Sequence, residues 1–464
     1  MKGSQIKDFT KGSITKELIL FALPLFLSNL LQVVYNMVDM IVVGNVLGIE
    51  GLSAVSVGGD VSAFLTFVAM GYSNAGQVII ARYIGGREEK KIGKFVGTMS
   101  GFLLLCSVII SAVALICQDG MLMLMNTPDY AYEGAASYSG ICMVGLLFIY
   151  GYNIVSAILR GMGDSKHPFI FISIAAVINL VLDIIFVAYL GLGAGGAALA
   201  TVISQGVSLI LCVIFLYRNR EKFGLDAKLR DFVIWDREMI SELVKLGTPM
   251  AIKTASIQFS KLFVNSFVNS YSLENPAVTA FAGVANKIAS ISNLVSAALN
   301  VAGSTMVGQN LAAGEFKRVK KILANLAVIT LTIATAVSVL ICIFPTEIFG
   351  LFTTDEDADA INSLVFGYIP IAVLLFFGSA MRAIMNALLN GSGNYRINFA
   401  TAIFDGIVMR IGLALLFGLA LGMKYYGFWL GDAIAGFTPF VIGIVFYISG
   451  AWKKGAKINR EEDQ

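Results

Sequence analysis

The sequence predicts an all-α integral membrane protein with twelve transmembrane helices in two pseudo-symmetric six-helix lobes. Three observations support this fold class: the composition, an internal repeat, and the alternating charge of the loops. The chain of 464 residues is 57% hydrophobic and only 14% charged, with a mean hydropathy of +0.80. Soluble domains average roughly 25% charged residues. The composition therefore excludes an ordinary soluble domain.

Twelve apolar stretches are each long enough to cross about 30 Å of hydrocarbon as a helix. Only helices and closed barrels satisfy their backbone in lipid, and strand-type alternation is absent, so the class is all-α. No cleavable signal peptide is expected, because the first 17 residues are polar and basic and the first apolar run is too long. The stretches, here called spans 1 to 12, run approximately over 18–43, 53–81, 94–117, 132–156, 167–190, 194–217, 243–270, 278–310, 320–344, 360–388, 397–421 and 427–450.

The two halves of the chain repeat each other at a slowly drifting offset. Glu17, Leu18 and Pro24 recur 225 positions later, ending at Pro249. The pair 75–76 returns at an offset of 227, and the segment 157–163 returns as 387–393 at an offset of 230. In a membrane protein, two homologous halves indicate a binding cavity between lobes that rock against each other. The duplication therefore favours a transporter over a channel.

Basic residues concentrate in alternate loops, which predicts the topology. Of the 33 lysines and arginines, 26 fall in loops expected on one side of the membrane. By the positive-inside rule, both termini are cytoplasmic and the protein is multi-pass in the inner (cytoplasmic) membrane. We expect these basic residues to contact lipid headgroups, not nucleic acid. The predicted domains are a cytoplasmic N-terminus (1–17), an N-lobe (18–217), a cytoplasmic linker (218–240), a C-lobe (241–450) and a cytoplasmic tail (451–464).

Enzyme chemistry is not predicted. The five cysteines lie in or beside apolar runs without a CxxC pair, and there is a single histidine, His167. The sequence contains no Walker-type phosphate loop and no HExxH zinc motif. The glycine pairs at 161–163 and 391–393 follow no strand and recur in both halves, which indicates tight turns between helices. We therefore expect no cofactor.

Span 1 and span 5 of the first half each carry a buried-looking carboxylate. Asp39 ends a stripe of Ser28, Gln32 and Tyr35 at helical spacing, flanked by Asn29 and Asn36. In span 5, Asn179 lies one turn before Asp183. Thr201 in span 6 follows small residues that permit close approach. A mid-membrane carboxylate costs about 2.5–3.5 kcal/mol on insertion scales, so two of them with an amide and a hydroxyl predict a functional site. The site suits Na⁺ or one shared proton equally well.

The second half is cationic where the first is acidic. Span 7 carries Thr254, Gln258, Lys261 and Asn265 at the same spacing, with Lys253 nearby, and span 11 carries Asp405 and Arg410. Snorkelling to the cytoplasm is the expected role of Lys253. For Lys261, Lys287 in span 8 and Arg410, salt bridges and contact with a substrate both remain open.

The chain resembles the multidrug and toxic compound extrusion (MATE) family of cation-coupled exporters, and specifically its DinF-like branch, over essentially its whole length. Each matching element is weak alone, but their order, spacing and duplication are specific. The elements are Pro24 with Tyr35-Asn36-Met37-Val38-Asp39, Ala81-Arg82-Tyr83-Ile84-Gly85, Leu159-Arg160-Gly161-Met162-Gly163-Asp164, Asn179-Leu180-Val181-Leu182-Asp183 and Gly196-Ala197-Ala198-Leu199-Ala200-Thr201.

The resemblance implies that Asp39, Asn179, Asp183 and Thr201 bind the coupling cation. It also implies that Tyr138 and Asn153 line the same lobe and that Pro24 carries a bending transition. A second family branch uses acids in spans 7 and 10. Here span 7 has Gln258 in that neighbourhood and span 10 has no acid, so a second cation site is not expected.

The expected function is therefore secondary antiport by alternating access. Inflow of H⁺ or Na⁺ would drive export of organic, cationic or amphipathic small molecules, with membrane lipids as the surroundings and a monomer as the working state. Asp39 and Asp183 are the expected Na⁺ ligands if sodium is the coupling ion. The alternative is a flippase for lipid-linked oligosaccharides, which would require a strongly basic cavity in both lobes.

Overall fold

The computed structural model describes residues 6–125, 127–271, 277–350 and 358–453, and its regular elements in these ranges are all helical. Most of the predicted tail (451–464) and the first five residues of the predicted N-terminus lie outside the described residues. The α-helices of the first half are α1 (Ile14–Gly85), α2 (Glu89–Ile116), α3 (Gln118–Leu124), α4 (Asp129–Val144), α5 (Leu146–Gly161), α6 (Lys166–Asp183) and α7 (Gly193–Arg218). Those of the second half are α8 (Arg237–Ser270), α9 (Ala277–Ala312), α10 (Phe316–Ile343), α11 (Pro345–Gly350), α12 (Ala358–Gly391), α13 (Tyr395–Ile403), α14 (Met409–Leu415), α15 (Lys424–Ala435) and α16 (Thr438–Ile448).

The described helices account for all twelve predicted spans. Eight are long and apolar enough to cross a membrane, and the pair α4 and α5, bent by 49°, makes a ninth. One of the eight is α1, which contains spans 1 and 2 and breaks at Gly48 (φ 67°, ψ −155°), a conformation that suits only glycine. The long helices α8 and α9 occupy spans 7 and 8. The predicted all-α class is confirmed.

The residues group into two compact units, and neither unit is one continuous stretch. Unit 1 comprises Met1–Asp8 and Leu23–Ala251, and unit 2 comprises Phe9–Ala22 and Ile252–Gln464. Helix α1 therefore passes from unit 2 to unit 1 beside Pro24, and α8 passes from unit 1 to unit 2 just after Pro249. The repeated prolines thus lie where these two helices pass from one unit to the other. The lobe boundaries stated from the sequence remain predictions.

In unit 1, the segment between the halves packs along a glycine stripe on α2. A side chain at Gly93, Gly97 or Gly101 would collide with the backbone or side chains of residues 226–235. The closest approach is at Gly101, where an added Cβ would lie 2.0 Å from the carbonyl oxygen of Phe232. Glycines one turn apart allow this close backbone packing, which fixes the segment against the helix.

In unit 2, Arg318 of α10 anchors the segment that precedes α1. Its guanidinium donates hydrogen bonds to the carbonyl oxygens of Phe9, Lys11 and Gly12 at 2.9, 2.6 and 3.0 Å. The Phe9 side chain is almost completely buried. The core of this unit also contains an aromatic cluster in which Tyr368 meets Phe281 and Trp429 edge to face, and Phe281 and Trp429 pack at a tilt.

Equivalent contacts in the two units confirm the internal repeat. A Cβ at Gly161 would lie 2.9 Å from the carbonyl oxygen of Gln77, and one at Gly391 would lie 2.8 Å from that of Ser304. The predicted turns are present as well, because Gly163 and Gly393 adopt φ of 89° and 68°. The N–H of Gly163 donates to the carbonyl oxygen of Arg160 at 3.0 Å, and that of Gly393 donates to the carbonyl oxygen of Asn390 at 3.1 Å. These glycines form helix connections, as the sequence indicated.

Beyond the second turn, the repeat shifts from an offset of 230 to one of 231. The N–H of Leu190 donates to the carbonyl oxygen of Ile185 at 2.9 Å. The equivalent bond 231 positions later runs from the N–H of Leu421 to the carbonyl oxygen of Leu416, also at 2.9 Å. Span 11 contains a π-helical turn, Phe404–Val408, between the segment that repeats at an offset of 230 and the one that repeats at 231. A π-turn accommodates one inserted residue. The insertion therefore explains the shift and brings Asp405 into the second unit without a counterpart in the first.

Candidate functional site

Two carboxyl groups meet inside unit 1. Asp39 lies in α1 with 7% of its surface exposed, and Asp183 ends α6 and is fully buried. The side chains approach within hydrogen-bonding reach of each other. Directly after Asp183 the helix continues as the π-helical turn Ile184–Tyr189, a departure from α-geometry that is frequent at functional sites. We call Asp39 and Asp183 the acid pair.

The acid pair lacks hydrogen-bond donors. Oδ1 of Asp39 and both carboxylate oxygens of Asp183 are buried without a partner among the described residues. Two ionised carboxylates offer only acceptors, so their approach cannot satisfy either of them. Nδ2 of Asn179, one turn before Asp183 and also buried, has no acceptor. A proton or a small cation is what these oxygens require.

Two tyrosines interact with the acid pair, and a threonine lies beside one of them. Tyr35 interacts electrostatically with both carboxylates. Tyr138 of α4 is buried. Its phenol lies within hydrogen-bonding reach of the Thr201 side chain and interacts electrostatically with Asp39. The predicted residues Asp39, Asp183, Tyr35 and Tyr138 are thus brought together, and Thr201 joins them through Tyr138. Sequence reasoning missed Cys142, which lies one turn after Tyr138 and also interacts with Asp39; its spacing from Tyr138 on the same helix was the available signal.

Other predicted residues lie apart from this cluster. Nδ2 of Asn153 donates to the carbonyl oxygen of Ile149 at 2.8 Å, a bond within its own helix. Asn36 and Gln258 are exposed, and Gln32 is half-buried without a contact to the acid pair among the described residues. Helix α1 continues through Pro24, whose carbonyl oxygen accepts a bond from Ser28 at 2.8 Å. The bending role of Pro24 remains a prediction.

Unit 2 contains a buried cluster of arginines and aspartates. Asp405 is fully buried, and its Oδ1 accepts bonds from Arg382 and Arg410, both at 3.3 Å. Arg410 also pairs with Asp432. Of the two roles left open for Arg410, salt bridging is therefore present. We call these four residues the arginine–aspartate cluster.

The arginine–aspartate cluster forms part of the wall of a cavity in unit 2. Lys261 lines the cavity, whereas Lys253 donates to Oδ1 of Asn386 at 2.6 Å. We call this space the unit 2 cavity. Its lining residues are Lys261, Val264, Asn265, Ala285, Asn286, Ala289, Asn293, Tyr368, Leu375, Ser379, Arg382, Arg410, Trp429, Asp432, Ala433 and Gly436.

The internal repeat relates the unit 2 cavity to the acid pair. At the offset of 225 fixed by Pro24 and Pro249, Asp39 corresponds to Val264 and Asn36 to Lys261. The later offset of 231 matches Asn179 with Arg410, Asp183 with Ala414 and Thr201 with Asp432. Sequence reasoning missed Arg382 and Asp432. Extending the offset of 231 from Thr201 would have located Asp432, whereas Arg382 corresponds at the offset of 230 to Tyr152, which was not a predicted site residue.

The oxygen atoms that the acid pair offers as ligands fit a hard monovalent cation or a proton better than a transition metal. Among the described residues, no group of three or more His, Cys, Asp and Glu side chains could hold a metal ion. The pair instead offers carboxylate oxygens, with the Asn179 amide and the Thr201 hydroxyl nearby. Oxygen ligands of this kind suit hard cations.

Comparison with known proteins agrees with these features. The MatE family model matches residues 24–185 and 249–416, one segment in each half. "Probable multidrug resistance protein YoeA" of Bacillus subtilis (strain 168) is 29% identical over 96% of both chains. "Multidrug export protein MepA" of Staphylococcus aureus (strain MW2) is 24% identical over 88% of both chains.

A solved structure described as the outward-facing conformation of a multidrug resistance MATE family transporter of the MOP superfamily has the same fold. It superposes with a TM-score of 0.88 at 25% identity, covering 99% of this chain and 100% of the other. The two family-model segments together span more than half of the present sequence, and the fold has the expected twelve spans. This chain belongs to the MatE family of multidrug and toxic compound extrusion transporters.

Proposed function

We propose that the protein is a secondary antiporter that exports organic compounds across the inner membrane in exchange for H⁺ or Na⁺. Asp39 and Asp183 bind the coupling cation, with Asn179 and Thr201 completing its surroundings. The residues of this site match the DinF-like branch of the family, and we assign the chain to that branch. The protein works as a monomer with both termini in the cytoplasm, and it transports its substrate without catalysing a reaction.

One observation carries the proposal: three buried carboxylate oxygens of the acid pair have no hydrogen-bond donor in the part of the chain that the structure describes. Two unit charges about 4 Å apart repel by about 4 kcal/mol at an effective dielectric constant of about 20. A single proton or one Na⁺ removes this repulsion and supplies the missing partner. Cation binding therefore changes the energy of this region by an amount sufficient to shift a two-state equilibrium.

Coupling follows if the two orientations of the transporter hold the acid pair differently. The cation stabilises the orientation in which Asp39 and Asp183 are close, and its release favours the other. Asp39 lies in α1 and Asp183 adjoins a π-helical turn, so either helix can change the distance between them. Pro24, beside which α1 passes from unit 2 to unit 1, offers a hinge for this change.

The test is transport by the purified protein in proteoliposomes. Uptake of ethidium, a cationic amphipathic dye, is measured under an imposed Na⁺ gradient and, separately, under an imposed pH gradient. One of the two gradients should drive transport. Asp39→Asn and Asp183→Asn should each abolish this gradient-driven uptake. Glu50→Gln, which changes an exposed acid of the same helix between spans 1 and 2, is the matched control and should transport normally. Gradient-driven transport by a monodisperse Asp39→Asn protein would refute the assignment.

The flippase alternative predicts a different result in the same vesicles. It requires a basic cavity in both halves to hold a diphosphate, but the first half carries the acid pair. Ion-gradient-driven dye transport supports the antiporter, whereas scrambling of a lipid-linked diphosphate without dye transport would support the flippase.

A further inference from the structure

The unit 2 cavity carries more positive than negative charge. Lys261, Arg382 and Arg410 line it, and Asp432 is the one acid among its lining residues. Asp405 is not part of the lining. It is fully buried, and a single oxygen of its carboxylate accepts bonds from both arginines. The two aspartates therefore neutralise only part of the positive charge at the wall.

Lys261 is a cationic lining residue without a direct partner in the described part of the chain. Its ammonium forms no hydrogen bond and no ion pair within 4.0 Å in the part of the chain that the structure describes. Asp432, which pairs with Arg410, attracts Lys261, as Asp405 does more weakly, whereas Arg410 and Arg382 repel it. Like charges confined in a region of low dielectric raise the energy of the site unless an anion joins them.

The remaining walls suit an amphipathic molecule. Tyr368 and Trp429 present aromatic rings to the cavity, and Asn265 and Asn293 present amide groups. A ligand with an aromatic or apolar body and one anionic group would match both parts of the lining. Arginine and lysine are the side chains that bind carboxylate and phosphate oxygens most strongly.

The repeat supplies an independent argument. The positions of the acid pair are occupied here by the apolar residues Val264 and Ala414. Two neutral amides of the first half, Asn36 and Asn179, are replaced by Lys261 and Arg410. The second copy of the site has thus lost the acids that attract a cation and gained groups that attract an anion.

We infer that the unit 2 cavity binds the carboxylate or phosphate group of an amphipathic organic anion through Lys261 and Arg382. Arg410, held by Asp405 and Asp432, fixes the wall behind that group. Identifying the anion as transported cargo depends on the proposed function, whereas the binding itself does not.

Binding is tested on the full-length protein in phosphatidylcholine nanodiscs by isothermal titration calorimetry. The probes are naphthalene-1-acetate, 1-naphthyl phosphate and the neutral naphthalene-1-acetamide. At least one anion should bind about tenfold more tightly than the amide, as expected for a charge-assisted hydrogen bond. Lys261→Gln and Arg382→Gln should each remove this preference, and Lys261→Arg should retain it. Lys321→Gln, an exposed lysine of the same unit, is the matched control and should bind as the wild type does.

Two further experiments distinguish a lipid from a soluble source of the anion, and distinguish failure of this inference from failure of the proposed function. Competition by added phosphatidylglycerol would identify a lipid headgroup as the natural source of the anionic group, and absence of competition would identify a soluble compound. Asp39→Asn should lose transport but keep anion binding, so failure of one proposal is distinguishable from failure of the other. Equal affinity for the anions and the amide, no binding of either anion, or undiminished binding by a correctly folded Lys261→Gln protein would overturn the inference.

Discussion

Asn179 and Arg410 occupy the same helical position in the two halves, 231 residues apart, and their surroundings differ in charge. Asn179 lies one turn before Asp183, within the region of the acid pair. Arg410 is equally buried but pairs with Asp405 and Asp432. The difference between Asn179 and Arg410 is thus one of several at repeated positions that distinguish the acidic site from the cationic one.

The arginine–aspartate cluster should contribute strongly to stability because its charges are buried together. Replacing Asp405 with Asn leaves Arg382 and Arg410 without their shared carboxylate. Breaking a buried ion pair in this way costs about 3–5 kcal/mol, so the unfolding temperature in detergent should fall by several degrees. Asp119→Asn, at an exposed tyrosine contact, is the control and should change it little. An unchanged unfolding temperature for Asp405→Asn would show that the two arginines are balanced by other groups.

The acid pair should behave in the opposite way, because its members repel each other when both are ionised. In buffer without Na⁺ at about pH 9, Asp39→Asn should raise the unfolding temperature, since Asn can donate a bond to the Asp183 carboxylate. The expected gain is about 1–3 kcal/mol, a fraction of the unscreened repulsion. Differential scanning fluorimetry measures it.

Ligand dependence provides the internal control for this prediction. Adding Na⁺, or lowering the pH towards about 6, should stabilise the wild type by mass action and should leave Asp39→Asn nearly unchanged. A variant that is less stable than the wild type at high pH, yet responds to both treatments, would contradict the repulsion argument.

A contact outside the membrane spans predicts a pH dependence of the opposite sign. Oδ2 of Asp236 accepts a bond from the Lys94 ammonium at 2.6 Å, and Oδ1 accepts bonds from the N–H groups of Glu238 and Met239 at the start of α8. The bond from Lys94, followed by those from the backbone, lowers the pKa of Asp236. A lowered carboxyl pKa stabilises the fold above the unfolded value of about 3.9, and this stabilisation is lost as the pH falls through the folded pKa.

Asp236→Asn should therefore lower the unfolding temperature at neutral pH. The difference from the wild type should shrink as the pH falls below about 4 and disappear below the lowered pKa of Asp236. Asn still caps the helix, whereas Asp236→Ala removes the cap as well and should cost about 1 kcal/mol more. Thermal unfolding across a pH series tests both variants. A difference between Asn and wild type that persists in acid would assign the effect to something other than the carboxylate charge.

The sequence predicted the fold and the acid pair because their signals are local or repeated. Apolar run lengths define the spans, and the Asn179–Asp183 spacing places both groups on one helical face. Which residues meet across helices is not contained in those patterns. The electrostatic interaction of Cys142 with Asp39, and the pairing of Arg410 with Asp432, depend on how four helices pack. The π-turn at Asp405 was also missed, since a one-residue insertion becomes visible only when the repeat is followed through span 11.

The repeated glycines offer a prediction that tests the duplication itself. Gly161→Ala and Gly391→Ala place a methyl group within 3.0 Å of a backbone carbonyl oxygen in each unit, where rigid backbone must move. Both should destabilise by similar amounts, about 1–3 kcal/mol, as overpacked sites do. Gly412→Ala, with open space around its added methyl group inside α14, is the control and should instead be neutral or stabilise by up to about 1 kcal/mol. Chemical unfolding in mild detergent measures all three. If only one of the two repeated glycines proves sensitive, the halves have lost equivalence at this contact, and the register that matches Asn179 with Arg410 would need independent support.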